Sequence, residues 1–336
     1  MTVVIQDIAY YLPEKVVKNT DLASDYPDWD MQKVEKRSGV IQRHVADSNQ
    51  TSFDLAFEAC QRMLHHQPHL RLEIDGLIFC TQSPDYIMPP NSCLLHKSLE
   101  LKEEVLSFDI NHACSGFVYG MAIARGLLES GQVSKLLLVT AETYSKMIGN
   151  GDRSARTLFG DGAAATLLTL GKEGSGIQDI ICATAGTGYK SFYIPAGGHR
   201  IPATSYTKEE GTDKSGNIRT AEQIHMDGME ILAFVNTRVK SQIASLLEKN
   251  NLKVEDIDVF VFHQASNMAL DALRRLLRID RSKVYKNLSN LGNTVSATIP
   301  IALKDAQEEG AIKKGDLVLL SGFGVGLSWA SALYRF

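Results

Sequence analysis

Cys114 stands in "INHACSGFVYGMA" (110–122), between a strand-like run, "VLSF" (105–108), and a helix-like run, "FVYGMAIARGLLES" (117–130). A thiol at that corner lies beside unpaired N–H groups and the positive end of a helix dipole, and both favour thiolate. Its small neighbours, Ala113, Ser115 and Gly116, leave room for a substrate carbonyl, and the Cys114 N–H can face an oxyanion. The residues alone leave two readings, a nucleophile or a buried structural cysteine. His263 closes a second strand-like run, "VFVFHQASN" (259–267), where side chains project into the crevice at strand ends. A hydrogen-bonded core histidine is the plain alternative. Asn293 follows Gly292 in "NLSNLGNTVSATIP" (287–300), at the mouth of a helix. Its amide can donate to a developing oxyanion, or simply cap the helix.

Other chemistry is poorly supplied. The chain carries 5 cysteines and 9 histidines in 336 residues, and no CxxC pair. An odd, scattered cysteine set argues against a disulfide framework or zinc site and suits a reducing cytoplasm. "LHHQPH" (64–69) reads as a solvated helix end, and His112 as structural. A net charge of −4 gives no field for nucleic acid or an anionic membrane. No apolar run approaches spanning length, and "MTVVIQD" lacks the basic start of a signal segment. "GFGVG" (322–326) lies too near the C-terminus to open a dinucleotide-binding βαβ unit, and "FGDGAAA" (159–165) has no P-loop lysine.

The elements that must position these residues alternate between strand and helix, an α/β pattern. An internal repeat runs through them. "EIDGLIFC" (73–80) parallels "DIDVFVFH" (256–263), 105–130 parallels 284–309, and "SKLLLVTAE" (134–142) parallels "KGDLVLLSGFG" (314–324). The offset is about 180 residues, so two similar halves with parallel strands are expected. Cys80, Cys114, Glu142, His263, Asn293 and Gly324 then fall at or just beyond strand ends, where a site at the junction would draw on both halves. Residues 186–223 lack periodicity and read as an insertion over the site mouth or a disordered surface loop.

"DINHACSGF", "FGDGAAA", "HQAS", "GNTVSATIP" and "GFGVGLSWASALYRF", in that order, resemble the thiolase-fold condensing enzymes. The chain is most similar to the β-ketoacyl-acyl carrier protein synthase III group, from "YLPEKVVKNTDL" (11–22) to Phe336. The resemblance implies a five-layered αβαβα thiolase-like fold, with halves at 1–172 and 173–336. It implies that Cys114 takes an acyl primer as a thioester. His263 and Asn293 would hydrogen-bond the thioester carbonyl of malonyl-acyl carrier protein as CO₂ leaves. The oxyanion would sit between the N–H groups of Cys114 and Val325, where members often have glycine. Phe323 would shield the site, and Met88 would cross a homodimer interface to close the partner's acyl pocket. No cofactor or metal is implied, since coenzyme A or phosphopantetheine enters with substrate.

For the primer's carrier, Arg37 and Arg153 match arginines that hold coenzyme A. Lys33 stands where primer-specific members place a tryptophan on the adenine, and Trp29 is the candidate substitute. Met268 replaces an arginine used to dock carrier protein. Arg274, Arg275 and Arg278 could serve that partner instead, or form a solvated helix face. Gln82 replaces the glutamate base of hydroxymethylglutaryl-coenzyme A synthases, which argues against non-decarboxylative carbanion formation. The competing readings are an acyltransferase to an alcohol or amine and a non-catalytic subunit of a heterodimeric synthase. Such relatives tend to lose the asparagine or the cysteine, and this chain keeps both.

Overall fold

The computed structural model describes all 336 residues. One sheet is built from β1 (Thr2–Tyr11), β2 (Gly76–Cys80), β3 (Leu106–Ile110), β4 (Lys135–Glu142) and β5 (Gly162–Gly171), in the order β1-β5-β4-β2-β3. The other holds β6 (Gly176–Thr184), β7 (Val259–Phe262), β8 (Leu317–Gly324) and β9 (Ser328–Arg335), in the order β7-β8-β9-β6. The two orders superimpose: β2, β4, β5 and β1 correspond to β7, β8, β9 and β6.

The strands are not all parallel, as the repeat alone suggested. β2 runs parallel to β3 and β4, and β7 to β8. The pairs β1–β5, β4–β5, β8–β9 and β9–β6 are antiparallel. A tight turn at residues 325–327 returns β9 beside β8, and a connection that short can only make a hairpin. The repeat also fails at residue 284. The counterpart of β3 shrinks to a single bridge, Phe260–Val284, because the chain there turns polar, with Lys286 paired to Asp271.

Five layers follow from where the apolar faces point. Helices α3 (Gly116–Glu129) and α6 (Thr298–Glu308) lie between the sheets. Phe117, Met121, Leu128, Ile299 and Leu303 join one core with Ile78, Leu138, Val261 and Leu320 from both sheets. Gly120 lets α3 approach closely, since a Cβ there would lie 2.6 Å from Leu138. Pro300 is tolerated because it falls in the first turn of α6, where N–H groups have no helical partner. Helices α1 (Ser52–His66) and α2 (Asn91–Ser98) cover the outer face of the first sheet, and α4 (Lys240–Lys249) and α5 (Asn267–Leu276) cover that of the second.

Residues 186–223 are neither structureless nor loose. They carry short helical turns and strand pairs, pinned by Arg219, which pairs with buried Asp152 at 2.8 Å and also with Asp213. No helix is long and apolar enough to cross a membrane.

Candidate active site

The chain leaves β3 at Ile110 and enters α3 at Gly116, and Cys114 sits on the connecting corner with 4% of its surface exposed. No side chain caps α3; the hydroxyl of Ser115 is engaged with Ser328 Oγ at 2.7 Å. The backbone N–H groups of Cys114 and Val325 lie near enough to the thiol to favour its charged form. A negatively charged oxygen placed there would meet two fixed donors. Val325 supplies its N–H without strain, because the left-handed conformation beside it falls on Gly326, at φ +134. Gly324 must stay without a side chain: a Cβ would come within 2.9 Å of Cys114 Cβ and Sγ.

Burial reverses one expectation. It pushes the Cys114 thiol well above its ordinary range, and the nearby Glu142 carboxyl adds to the shift. The two N–H groups pull the other way and do not win. At neutral pH the resting Cys114 is therefore a thiol and not a thiolate.

Glu142 itself ends β4 with no exposed surface. It accepts from the Gln82 N–H at 3.1 Å and from the Ser83 and Ser296 hydroxyls, each at 3.0 Å, tying the two halves together. Burial raises its carboxyl to about 8. A carboxyl raised in the folded state binds its proton more tightly there than in the unfolded chain. Its stabilising contribution is full below the ordinary value of 4.5 and is lost as pH rises through about 8. Glu142→Gln will therefore flatten the loss of stability between pH 6 and pH 9, by on the order of a few kcal/mol. Urea unfolding at the two pH values measures this; parallel losses in both proteins would contradict it.

His263 follows β7 directly and is 1% exposed. Burial lowers its imidazole to about 3, so it is neutral near pH 7. Nδ1 lies 2.7 Å from Thr298 Oγ1, and the ring meets Phe323 edge-on, with centroids 5.6 Å apart at 83°. Asn293 is 3% exposed, and its Nδ2 lies 3.5 Å from His263 Nε2. Its orientation is set by two devices. The backbone of Asn293 exchanges hydrogen bonds with Leu158 and Gly160, so the "FGDG" turn places it. The Val295 N–H donates to Asn293 Oδ1 at 2.9 Å, which turns the amide nitrogen toward the histidine. Val295 adopts φ +56 to do so, a conformation that costs a β-branched residue about 1–3 kcal/mol.

Cys114, His263, Asn293, Phe323 and Gly324 line one cavity of about 250 Å³. Arg37 and Arg153 line the same cavity. Trp29 does not; it stacks on Tyr26 at 4.1 Å, which satisfies its ring elsewhere. Met88 lies outside this chain's own cavity and is 80% exposed, beside Ile87 at 91%. Arg274, Arg275 and Arg278 also lie outside it, on or just after α5, whereas Met268 on that helix reaches the lining.

Sequence reasoning missed the aromatic wall. Tyr144, Phe159 and Phe192 pack around one another and share an apolar cluster with Cys114. Phe192 comes from the aperiodic segment 186–223, and nothing in its neighbours marks it. Tyr144 donates to Gln82 Oε1 at 2.7 Å, so Gln82 braces this wall. Thr298 was missed too. It lies inside the same "GNTVSATIP" motif as Asn293, and its position in that motif was the only signal that could have found it. The remaining cysteines are free thiols, and no cluster of acidic, histidine and cysteine side chains is arranged to hold a metal.

Comparisons with known proteins agree with this geometry. Residues 108–186 match the family model 3-oxoacyl-[acyl-carrier-protein] synthase III, and residues 247–336 match its C-terminal counterpart. The β-ketoacyl-[acyl-carrier-protein] synthase III of Caldanaerobacter subterraneus subsp. tengcongensis is 38% identical, over 97% of this chain and 95% of that protein. That of Clostridium perfringens is 37% identical, over 97% and 96%. A crystal structure of a 3-oxoacyl-(acyl-carrier-protein) synthase III superimposes with a TM-score of 0.97 at 39% identity, covering both chains completely. The Thermus thermophilus β-ketoacyl-[acyl carrier protein] synthase III gives 0.87 at 33% identity over 99% of each chain. With its thiolase-like layers and relatives this similar over nearly its whole length, the chain belongs to the β-ketoacyl-[acyl-carrier-protein] synthase III family.

Proposed function

We propose that this enzyme joins an acyl primer to malonyl-acyl carrier protein by decarboxylative Claisen condensation. Cys114 attacks the primer thioester, the carrier thiol leaves, and the acyl group remains on sulfur. Malonyl thioester then loses CO₂, and the electron pair of the broken C–C bond becomes an enolate. Asn293 Nδ2 and His263 Nε2 sit where they can hydrogen-bond the enolate oxygen. The enolate carbon attacks the acyl carbonyl, the oxyanion rests between the N–H groups of Cys114 and Val325, and the Cys114 thiolate departs and regains a proton.

One observation carries this reading: a buried thiol faced by two backbone N–H groups shares a cavity with a paired asparagine and histidine. A plain acyltransferase needs only the first half of that constellation, and a non-catalytic subunit needs neither.

The carrier of the primer is part of the proposal. Lys33 offers no ring to stack on adenine, and Trp29 is already stacked on Tyr26. An aromatic–base stack contributes about 1–3 kcal/mol, so its loss weakens free coenzyme A thioesters by about tenfold or more. The exposed Arg275 and Arg278, with the half-buried Arg274, give an acidic carrier protein compensating contacts of about 0–1 kcal/mol each. The primer is therefore expected to arrive at least as readily on acyl carrier protein. Acylation of Cys114 by one acyl group on both carriers, at low and high salt, tests this. A large, salt-insensitive preference for coenzyme A would contradict it.

We also propose a homodimer working in the reducing cytoplasm. Tyr86, Ile87 and Met88 form a run of exposed apolar side chains, 57–91% exposed, that a second copy would cover. Sedimentation will give twice the chain mass, and Met88→Asp will weaken the association. A wild-type monomer at micromolar concentration would overturn the assembly.

A further inference from the structure

Two hydrogen bonds meet at Thr298. Its hydroxyl donates to the Val295 carbonyl at 2.9 Å, and its oxygen lies 2.7 Å from His263 Nδ1. A hydroxyl has one hydrogen to give. With that hydrogen on Val295, the oxygen can only accept, so Nδ1 must carry the imidazole proton. Nε2 then presents a lone pair to the cavity, and the nearest polar hydrogen belongs to Asn293 Nδ2, 3.5 Å away. The Val295 N–H fixes that amide with its nitrogen toward the ring, which agrees with an accepting Nε2. None of these residues is more than 3% exposed, so no bulk water competes for them.

A malonyl carbonyl is an acceptor and needs the opposite arrangement, with the proton on Nε2. From these contacts we infer that Thr298 is a positioning residue that sets which nitrogen of His263 carries the proton, and that its hydroxyl turns from Val295 to Nδ1 when His263 donates to substrate. The inference rests on the condensation reading above and deepens it. The exchange balances with water as the proton carrier: Nε2 takes a proton from a water that enters the cavity with substrate, the Nδ1 proton shifts onto Thr298 Oγ1, and the hydrogen that Thr298 had directed at Val295 leaves to water. Threonine can serve either form, accepting from Nδ1–H or donating to bare Nδ1. Valine has the same shape and can serve neither. The contact also fixes the ring, because it is the sole hydrogen bond at Nδ1 and the flanking Phe323 offers only an edge-on aromatic contact.

This separates a chemical role from a steric one. In the empty wild type, ¹⁵N NMR of labelled histidine will show the His263 proton on Nδ1. T298V will show it on Nε2, since a buried N–H facing a methyl group is costlier to orphan than a lone pair. With malonyl-acyl carrier protein, T298V holds the proton on Nε2 but has no hydroxyl to donate to bare Nδ1 and fix the ring, so it will lose about tenfold in kcat for CO₂ release, the scale of one hydrogen bond. Its KM and its Cys114 acylation, read by intact mass, will stay near wild type and show that the fold is kept. T298S will recover most of the rate and the Nδ1–H form. A wild-type tautomer in T298V, or a T298S as slow as T298V, would overturn the inference. A wild type that releases no CO₂ would instead refute the condensation reading, while the NMR spectrum would still report the tautomer.

Discussion

Replacing Cys114 by serine will abolish the acyl-enzyme and slow condensation by about 10³-fold or more, the scale on which enzymes lose their nucleophile. The substitution is nearly isosteric, and the buried hydroxyl still meets the backbone N–H groups of residue 114 and Val325, so the fold is retained. What is lost is nucleophilicity. A serine hydroxyl is far harder to ionise than even a thiol whose range burial has pushed up. Intact-protein mass after incubation with acyl thioesters measures the effect. The wild type will gain one acyl group, C114S none; equal labelling of both would remove Cys114 as nucleophile. The raised thiol carries a further expectation. Alkylation of the empty wild type will keep climbing with pH beyond the range where an ordinary exposed cysteine levels off.

His263→Ala and Asn293→Ala will divide the cycle. Each keeps Cys114 and the two N–H groups at its thiol, so acylation will remain within a few-fold of wild type. Each removes one hydrogen-bonding partner for the enolate oxygen, and malonyl decarboxylation will fall by about 10²–10³-fold, as when one oxyanion donor is lost. The two side chains lie 3.5 Å apart around one buried position, so the double variant will lose less than the product of the single losses. CO₂ release from labelled malonyl-acyl carrier protein, run beside mass measurement of the acyl-enzyme, separates the half-reactions. Equal loss of both in either variant would contradict the division.

Much of this is legible in the residues, for particular reasons. The apolar runs at 76–80, 135–142, 259–262 and 317–324 are buried on both faces, and such strands read as unbroken hydrophobic stretches. Their repeat is enough to place Cys114, His263 and Asn293 at or just beyond strand ends. Strand direction is not legible, because a buried strand has the same composition whether its neighbour runs with it or against it. The missing counterpart of β3 is hidden because "VYKNL" has strand-like residues and loses its pairing only to Lys286 and Asn287, which bond Asp271 and Asp305. The aromatic wall is hidden for a different reason. Phe192 owes its place to a short strand pairing with Met226, in a segment with no periodicity. The thiol's high range is hidden because helix-end polarity is visible in a sequence, whereas the depth of burial and the nearness of Glu142 are not.

The central claim is that one site both holds an acyl group on Cys114 and decarboxylates malonyl thioester to extend it. The most direct test is the mass of acyl carrier protein recovered after wild-type enzyme, one acyl thioester primer and malonyl-acyl carrier protein react together. The account predicts a carrier bearing the primer's acyl group plus two carbons as a β-ketoacyl thioester, with one CO₂ released per product, and no such product with C114S. A carrier that keeps its malonyl group while Cys114 is fully acylated would contradict it.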